Sequence, residues 1–332
     1  MGGNTMIKIR SLALAGAMML AATSFADAKE EIIFGISAAT GSLQQQTAAE
    51  FVKRANEKLG DKAEVKLFDS SQIGKDKELM QKLKIGTVHL ALPSSIMSSV
   101  ADKFALFDMP FLVADRKHLA QIEEKVFWSE IAPTAEEKGY KVLAVWENGV
   151  RHITNNVRPV KTPDDLKGLK IRTPKSTWRV KMFEAWGANP TPMAFSEVFT
   201  GLQTGVIDGQ ENPYTNIASA KLNEVQKYLS KTGHVYTPSY PTMGKAMYDK
   251  MDPAIVSVLE SVARELEIWA RDKGEAADTE LKDKLVAGGM SYNEANRAAF
   301  VAASKPIYDA FAAEVEGGQA LIDAAIALAP GS

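Results

Sequence analysis

Two arginines stand at the ends of predicted β-strands, where their side chains could bind an anion. Arg172 lies near the end of the strand pattern at residues 169–173, and Arg151 follows the strand pattern at residues 141–147. In open α/β sheets ligands bind at the carboxyl ends of strands, and a guanidinium offers a fork of donors that matches the two oxygens of a carboxylate. Each arginine could equally pair with a core aspartate or glutamate, and spacing alone does not decide between these two roles.

Two asparagines provide neutral groups that could contact the same anion. Asn212 lies in the motif DGQENP, and Asn216 lies one helical turn further along the chain. An amide side chain both donates and accepts hydrogen bonds, so it suits a carboxylate or a hydroxyl next to one. On its own, the pair Asn212-Pro213 indicates only a turn or the start of a helix.

The sequence lacks the common motifs of metal, nucleotide and nucleophilic sites. The histidines at positions 89, 118, 152 and 234 show no three- or four-residue spacing, and the P-loop, dinucleotide-binding, G-x-S-x-G and EF-hand patterns are absent. Adjacent carboxylates at 123–124 and 164–165 are interpreted as solvated or capping groups, and the alternating charges at 75–78 as a solvated helix face. We therefore predict no metal, no cofactor and no catalytic residue.

Composition indicates a globular protein without a nucleic-acid partner. The chain has 332 residues, a length that fits two lobes, and its net charge of -2 shows no basic excess. Cysteine is absent, which excludes disulfides, thiol catalysis and a lipidated N-terminal cysteine. Core packing alone must therefore stabilise the fold, and a chain of this length can supply it.

The N-terminal residues have the three parts of a secretory signal peptide. Lys8 and Arg10 precede an apolar run at 11–23, and an A-x-A cleavage pattern ends at Ala28. The apolar run is too short to span a bilayer, and no later stretch reaches the roughly 18 apolar residues that a span needs. We expect residues 1–28 to be removed and the mature protein to be periplasmic.

Strand and helix patterns alternate along the chain and predict an α/β fold with a largely parallel sheet. Strands are predicted at 31–37, 63–68 and 88–92, with helices at 43–59 and 76–85 between them. A helical pattern of about thirty residues begins at Pro253, weakened only by Gly274. At about 45 Å this helix would exceed one lobe, so we expect it to lie across both.

Four stretches carry a resemblance to a known family. ENGVRHITN (147–155), DLKGLKIRTP (165–174), GANPTPMAFSEVFTGLQTGVIDGQENP (187–213) and NEVQKYL (223–229) resemble the solute-binding subunit of tripartite ATP-independent periplasmic (TRAP) transporters. The likeness covers nearly the whole mature chain. It implies a two-lobed periplasmic binding protein fold, with crossing strands and a long helix spanning both lobes. It also implies closure around an organic acid and docking on a membrane permease.

The resemblance also assigns lobes and site residues. Lobe I is expected to comprise residues 29–148 with 238–277, and lobe II residues 149–237 with 278–332. Arg172 resembles the main carboxylate anchor of the family, Arg151 a second arginine that supports or shares the ligand, and Asn212 the amide partner of the same carboxylate.

Further contacts are expected from two loops and one aromatic residue. Thr40 lies in the loop after the first strand, residues 38–41, which usually faces the ligand in this family. Ser94 lies in the run LPSSIM, which differs from the pattern of the sialic-acid-binding members and therefore disfavours sialic acid as the ligand. Trp178 could form a wall of the pocket, although large aromatic side chains more often pack in the core. Lys175 could meet a second carboxylate or remain a solvated surface lysine.

Two other classes of function remain open at this point. A binding protein of an ATP-driven importer would share export and two lobes but not the QENP block. A periplasmic enzyme acting on an organic acid is disfavoured because no nucleophile is paired with a base. Dicarboxylate, hydroxy acid and aromatic acid all remain possible ligands.

Overall fold

Two β-sheets organise the part of the chain that the computed structural model describes, residues 1–2 and 29–331. The signal-peptide motifs at 8–28 lie outside the described residues. The strands are β1 (Glu30–Gly35), β2 (Ala63–Phe68), β3 (Leu90–Ala91), β4 (Tyr140–Val142), β5 (Trp146–Asn155), β6 (Lys170–Thr173), β7 (Asn189–Pro192), β8 (Gly209–Asn212), β9 (Tyr228–Ser239), β10 (Thr242–Gly244) and β11 (Ser291–Glu294).

Helices cover both sheets. They are α1 (Leu43–Leu59), α2 (Asp76–Ile85), α3 (Arg116–Ile122), α4 (Ala132–Glu137), α5 (Thr177–Ala185), α6 (Val198–Gln203), α7 (Tyr214–Ser219), α8 (Lys245–Tyr248), α9 (Pro253–Ala287), α10 (Arg297–Ala303), α11 (Lys305–Glu314) and α12 (Gly318–Ile326). Short 3₁₀ turns precede α3, and a π-helical segment, Glu123–Ile131, joins α3 to α4. Within the described ranges, every helix is too short or too polar to reach across a bilayer.

Both sheets are mixed, so the α/β class is confirmed while the largely parallel arrangement is not. The first sheet has the order β2-β1-β3-β10-β4, and β10 runs antiparallel to both of its neighbours. The second sheet has the order β11-β9-β5-β8-β6-β7, and β5 is antiparallel to β8 and β9. The reason is connectivity, because the chain leaves the first sheet along β5 and returns along β9 in the opposite direction.

The two halves of the molecule, each built on one sheet, are joined by crossing segments. Residues 143–145 lead from β4 into β5, and residues 240–241 lead from β9 back to β10. The two segments lie side by side, since the backbone N–H of Leu143 donates to the carbonyl of Pro241 at 2.8 Å. A hydrogen-bonded pair of strands therefore forms one connection between the halves.

The long helix α9 forms another connection, as predicted. Its N-terminal part packs side chains such as Leu259 into the core shared by α1 and the first sheet. Its C-terminal part places Leu285 in a separate core with Val198 of α6 and Ile217 of α7. At 35 residues the helix is about 50 Å long, and it contacts both halves.

The N-terminal turns of α1 and α2 direct polar side chains towards the space between the halves. Ser42 caps α1 by accepting from the N–H of Gln45, while Ala48, Phe51 and other buried side chains hold the helix against the first sheet. In α2, Glu78 accepts from the backbone N–H of Lys75 and fixes the first turn. Such caps satisfy donors that a helix start leaves open.

Gly274 allows α9 to lie very close to strand β5. A Cβ at this position would overlap Glu147 Oε1 and lie 2.5 Å from Glu147 Cδ. The Glu147 carboxylate is fully buried and accepts from Arg116 and Tyr236, and Arg116 also bonds Asp278 of α9 at 2.7 Å. The glycine that weakens the helical pattern thus makes room for a carboxylate that joins both crossing strands to the helix.

Replacing Gly274 with alanine is expected to destabilise the protein by about 1 kcal/mol. Alanine favours a helix by about 1 kcal/mol, but overpacking a held core group typically costs about 1–3 kcal/mol, and the Glu147 carboxylate is fixed by its partners. Urea denaturation measures the change in the free energy of unfolding. The exposed neighbour Glu275→Ala is the control, expected within about 0.5 kcal/mol of wild type. A Gly274→Ala variant more stable than wild type would contradict this packing.

Candidate ligand-binding site

A cavity of about 680 Å³, open to solvent, lies between the two halves. Ser37, Gln44, Asp76, Ser94 and Ser95 line it from the first half. Asn148, Arg151, Arg172, Asn212 and Asn216 line it from the second half. The lining is polar and charged, which is typical of a site for a small polar ligand.

Arg172, at the end of β6, is a buried cation without an acidic partner. Its side chain is 3% exposed, and its Nε and Nη2 atoms donate to the carbonyl of Met193 at 3.0 and 2.6 Å. Within residues 1–2 and 29–331 no carboxylate forms an ion pair with it, and its Nη1 atom has no hydrogen bond. Burial lowers the pKa of Arg172 to about 10, against the opposing effects of Glu211 and Asp76. The edge formed by Nη1 and Nη2 is therefore open to an anion in the cavity.

Arg151 also lines the cavity, but its charge is paired inside the protein. Its guanidinium binds the carboxylate of Glu211 through Nε and through Nη2, the latter at 2.8 Å. Nη2 also donates to Asn212 Oδ1 at 3.1 Å. The sequence left open whether Arg151 binds a ligand anion or pairs with an internal acid. The structure shows the internal ion pair, together with a hydrogen bond that orients Asn212.

Glu211 is the centre of a buried charge network that holds β5, β8, α5 and β9 together. It accepts from Arg151 and, at 3.2 Å, from Arg179, which in turn bonds Asp108 at 2.7 Å. Burial alone would raise the pKa of Glu211, but the charges of Arg151 and Arg179 outweigh it and hold that pKa well below its usual range. Two of the three arginines in this region are thus neutralised by internal acids.

His234 completes this network as a neutral ring. Its Nε2 lies 3.2 Å from Glu211 Oε2 and its Nδ1 lies 2.7 Å from the hydroxyl of Thr232. Because a carboxylate can only accept, Nε2 carries the proton and Nδ1 accepts from Thr232. Burial, together with the charges of Arg179 and Arg151, lowers the pKa of His234 to about 4, although Glu211 raises it.

Two of the other predicted site residues line the cavity. Asn212 accepts from Arg151 and from Asn216 Nδ2 at 3.2 Å. Ser94 donates to the carbonyl of Pro238 at 2.6 Å and accepts from Asn148 at 3.1 Å. Both side chains are therefore held by neighbouring groups at the cavity surface.

The structure places Thr40 and Trp178 elsewhere. Thr40 is exposed, and its hydroxyl bonds the Asp69 carboxylate at 3.0 Å instead of lining the cavity. Trp178 is buried on the face of α5 that packs on α11, with its ring 5.3 Å from that of Phe311. The expectation that Trp178 forms a wall of the pocket does not agree with this location, because the helix turns the indole into the core.

Several residues of the site were not found from the sequence. Gln44 stood out by no motif, Asn148 was noted only as part of the stretch ENGVRHITN, and Arg179 lies on a helix whose pattern gave no sign of a charged core. The alternating charges at 75–78 were interpreted as a solvated helix face, which is wrong for Asp76. This residue begins α2, lines the cavity and accepts from the hydroxyl of Ser37. Burial raises the pKa of Asp76, while Ser37, Arg172 and Lys175 lower it.

The site offers no evident place for a metal ion. In the part of the chain that the structure describes, no group of three or more His, Asp or Glu side chains could hold one. The arrangement of a buried unpaired guanidinium, amides and hydroxyls around a cavity is suited to binding an organic anion through hydrogen bonds.

Comparisons with known proteins agree with this arrangement. The family model for bacterial extracellular solute-binding proteins of family 7, DctP, matches residues 34–314. The 2,3-diketo-L-gulonate-binding periplasmic protein YiaO of Escherichia coli K12 is 34% identical over 323 residues, 96% of this chain and 98% of that protein. The C4-dicarboxylate-binding periplasmic protein DctP of Vibrio cholerae is 32% identical over 96% of this chain and 98% of that protein.

A solved structure has the same fold. A TRAP periplasmic solute-binding protein from Bordetella bronchiseptica, with density attributed to pantoate, superimposes with a TM-score of 0.86. The two sequences are 35% identical, and the match covers 91% of this chain and all of that one. This similarity confirms the two-lobed fold and the resemblance on which it was predicted.

The neutral, buried His234 is expected to make stability depend on pH. Its pKa of about 4 in the folded protein lies below the usual value of 6.5, so the unfolded chain binds more protons and stability falls as pH falls below 6.5. In His234→Gln the amide can keep both hydrogen bonds but does not titrate. Between pH 7 and pH 5, wild type should lose about 2 kcal/mol of unfolding free energy relative to the variant.

Urea denaturation of both proteins at the two pH values measures this difference, and the other titrating groups are common to both. A gap between wild type and His234→Gln that stays constant from pH 7 to pH 5 would show that His234 is not held neutral.

Proposed function

The chain belongs to family 7 of the bacterial extracellular solute-binding proteins, and on this premise we propose that it captures a small organic acid for a TRAP transporter. The observation that carries the proposal is the buried guanidinium of Arg172, which lines the cavity and forms no ion pair within the described residues. A buried charge without a partner is unfavourable, so a ligand carboxylate would supply the missing counter-charge. Hydrogen bonds between ionised groups contribute about 1.5–3 kcal/mol each.

Arg172 is the proposed anchor, and its backbone contact prepares it for this role. The Met193 carbonyl occupies the edge formed by Nε and Nη2. The remaining edge can hold both oxygens of a carboxylate in a two-pronged contact. Because the Met193 carbonyl fixes the guanidinium, little side-chain entropy is lost when the ligand binds.

Arg151, Asn212 and Ser94 are proposed to shape the site around the anchored carboxylate. The charge of Arg151 is compensated by Glu211, so its contribution is to orient Asn212 and to present its remaining donors to the ligand. Asn212 and Ser94 lie at the cavity surface with fixed orientations. We expect these residues to contribute less affinity than Arg172, because none of them leaves a charge without a partner.

Closure of the two lobes is proposed to bury the ligand. Lobe I would comprise residues 29–148 with 238–277, and lobe II residues 149–237 with 278–332, so the boundaries fall where β5, β9 and α9 cross. An ion pair between Lys75 and Glu197, 2.7 Å long, joins the two halves beside the cavity. A ligand that contacts both lobes would shift the equilibrium towards the closed form.

The proposed location is the periplasm, after cleavage near Ala28, and the proposed partners are the membrane subunits of a TRAP permease. Members of this family and the structural relatives are binding proteins of transport systems. We propose that this chain likewise releases its ligand unaltered and is not an enzyme. Recovery of chemically unchanged acid after prolonged incubation with the protein, checked by mass spectrometry, would support this view.

Replacing Arg172 with alanine is expected to weaken ligand binding at least 100-fold, because it removes both donors of a desolvated contact. Arg172→Lys should lose about tenfold or more, since an ammonium cannot reproduce the planar fork. Titration calorimetry measures both effects, with the carboxylic acid that most raises the melting temperature of wild type as the ligand.

Arg158→Ala provides a matched control for this experiment. Like Arg172, Arg158 donates through Nε and Nη2 to backbone carbonyls, those of Asp165 and Lys167, but it does not line the cavity. This variant should bind as wild type does. Unchanged affinity in a folded Arg172→Ala protein would refute the anchor role.

A further inference from the structure

The first half of the molecule contributes a carboxylate to the same cavity, that of Asp76. We propose that the ligand is a monocarboxylate bearing several hydroxyl groups, and that Asp76 selects it over dicarboxylates. The proposal rests on the proposed function, since it assumes that Arg172 holds the carboxylate. It adds the chemistry of the other end of the ligand and names the residue that recognises it.

The hydrogen bonds of Asp76 define what it can accept. The hydroxyl of Ser37 donates to its Oδ1 atom. Its Oδ2 atom has no hydrogen-bond partner among the described residues, although the side chain lines the cavity. An ionised carboxylate is an acceptor only, so the ligand group beside Oδ2 must be a donor. A hydroxyl satisfies this requirement, whereas an ionised carboxylate or a hydrocarbon chain does not.

Other polar groups around the cavity also lack partners within the described part of the chain. Gln44 and Ser95 line the cavity with only 7% and 8% of their surface exposed, and neither their amide nor their hydroxyl makes a hydrogen bond. Asn216 donates through Nδ2, but its buried Oδ1 has no partner. Leaving the buried Oδ1 of Asn216 unpaired costs about 1–3 kcal/mol, whereas the polar atoms of Gln44 and Ser95 reach solvent in the cavity. Ligand hydroxyls can both donate to and accept from such groups. A ligand with several hydroxyls matches this set, while an unsubstituted carbon chain would leave it unsatisfied.

The charges near Asp76 do not favour a second ligand carboxylate there. Such a group would meet the like charge of Asp76, and the nearby ammonium of Lys75 is already paired with Glu197. Lys77 and Lys175 also line the cavity, but both are exposed to solvent. Arg172 and Lys175 both lie close enough to Asp76 to lower the pKa of that carboxyl. Apart from Arg172, which the first ligand carboxylate would occupy, the cations near Asp76 are therefore compensated or solvated.

A panel of acids matched in carbon skeleton tests the proposed ligand class. The four-carbon set is erythronate, succinate and butyrate, and the six-carbon set is galactonate, adipate and hexanoate. In each set one acid bears hydroxyls, one a second carboxylate and one neither. Calorimetry with the mature wild-type protein at pH 7 should show at least one hydroxylated acid binding ten or more times tighter than both partners of equal length.

The variant Asp76→Asn tests the residue itself. It keeps the size of the side chain but removes the charge, so affinity for the best hydroxylated acid should fall at least tenfold. Affinity for the dicarboxylate of equal length should stay the same or rise. The control is Asp102→Asn, which makes the same change at an exposed position that does not line the cavity, and it should bind both acids as wild type does. Thermal melts establish that each variant is folded.

The outcomes separate this inference from the function on which it rests. If no acid of the panel binds wild type, or if Arg172→Ala binds as well as wild type, the proposed function itself fails. If carboxylates bind through Arg172 but a dicarboxylate binds as tightly as the hydroxylated acids, only the inference is overturned. The same holds if Asp76→Asn changes affinity for the hydroxylated acid by less than twofold.

Discussion

The buried guanidinium of Arg172, which forms no ion pair among residues 1–2 and 29–331, determines what the cavity can bind. Burying a cation without a counter-ion is unfavourable, and the fold accepts this at one position beside a cavity. Arg151 and Arg179 lie nearby but are neutralised by Glu211 and Asp108. Because these internal acids neutralise Arg151 and Arg179, an anion in the cavity is attracted mainly to Arg172. The same ion pairs hold the surrounding strands in place.

The scaffold must keep this charge in position while two halves meet around it. The crossing strands β5 and β9 and the helix α9 perform this task, and they are fastened to one another where Glu147 lies against Gly274. The side chains of the cavity are therefore supplied by both halves, which these elements and a shared core hold together. The proposed closure over a ligand would use these crossing elements as its hinge.

The local pattern of the sequence predicted much of this, and long-range contacts account for what it missed. The bounds of α1 and α2 agree with the predicted helices, and Arg172 lies where a strand end was expected to present it. The partner of Arg151, Glu211, is 60 residues away along the chain, so no local pattern could choose between anchor and internal pair. The alternating charges at 75–78 predicted a solvated helix face. This prediction failed for Asp76 because a charge pattern does not show that the start of the helix faces the cavity.

A crystal structure of the mature protein with its bound acid would show directly whether Arg172 is the anchor. We expect a ligand carboxylate held by the Nη1 and Nη2 atoms of Arg172 at about 2.8 Å, with the contact to the Met193 carbonyl retained. A ligand carboxylate bound elsewhere, or an Arg172 side chain turned away to pair with an internal acid in the complex, would contradict it.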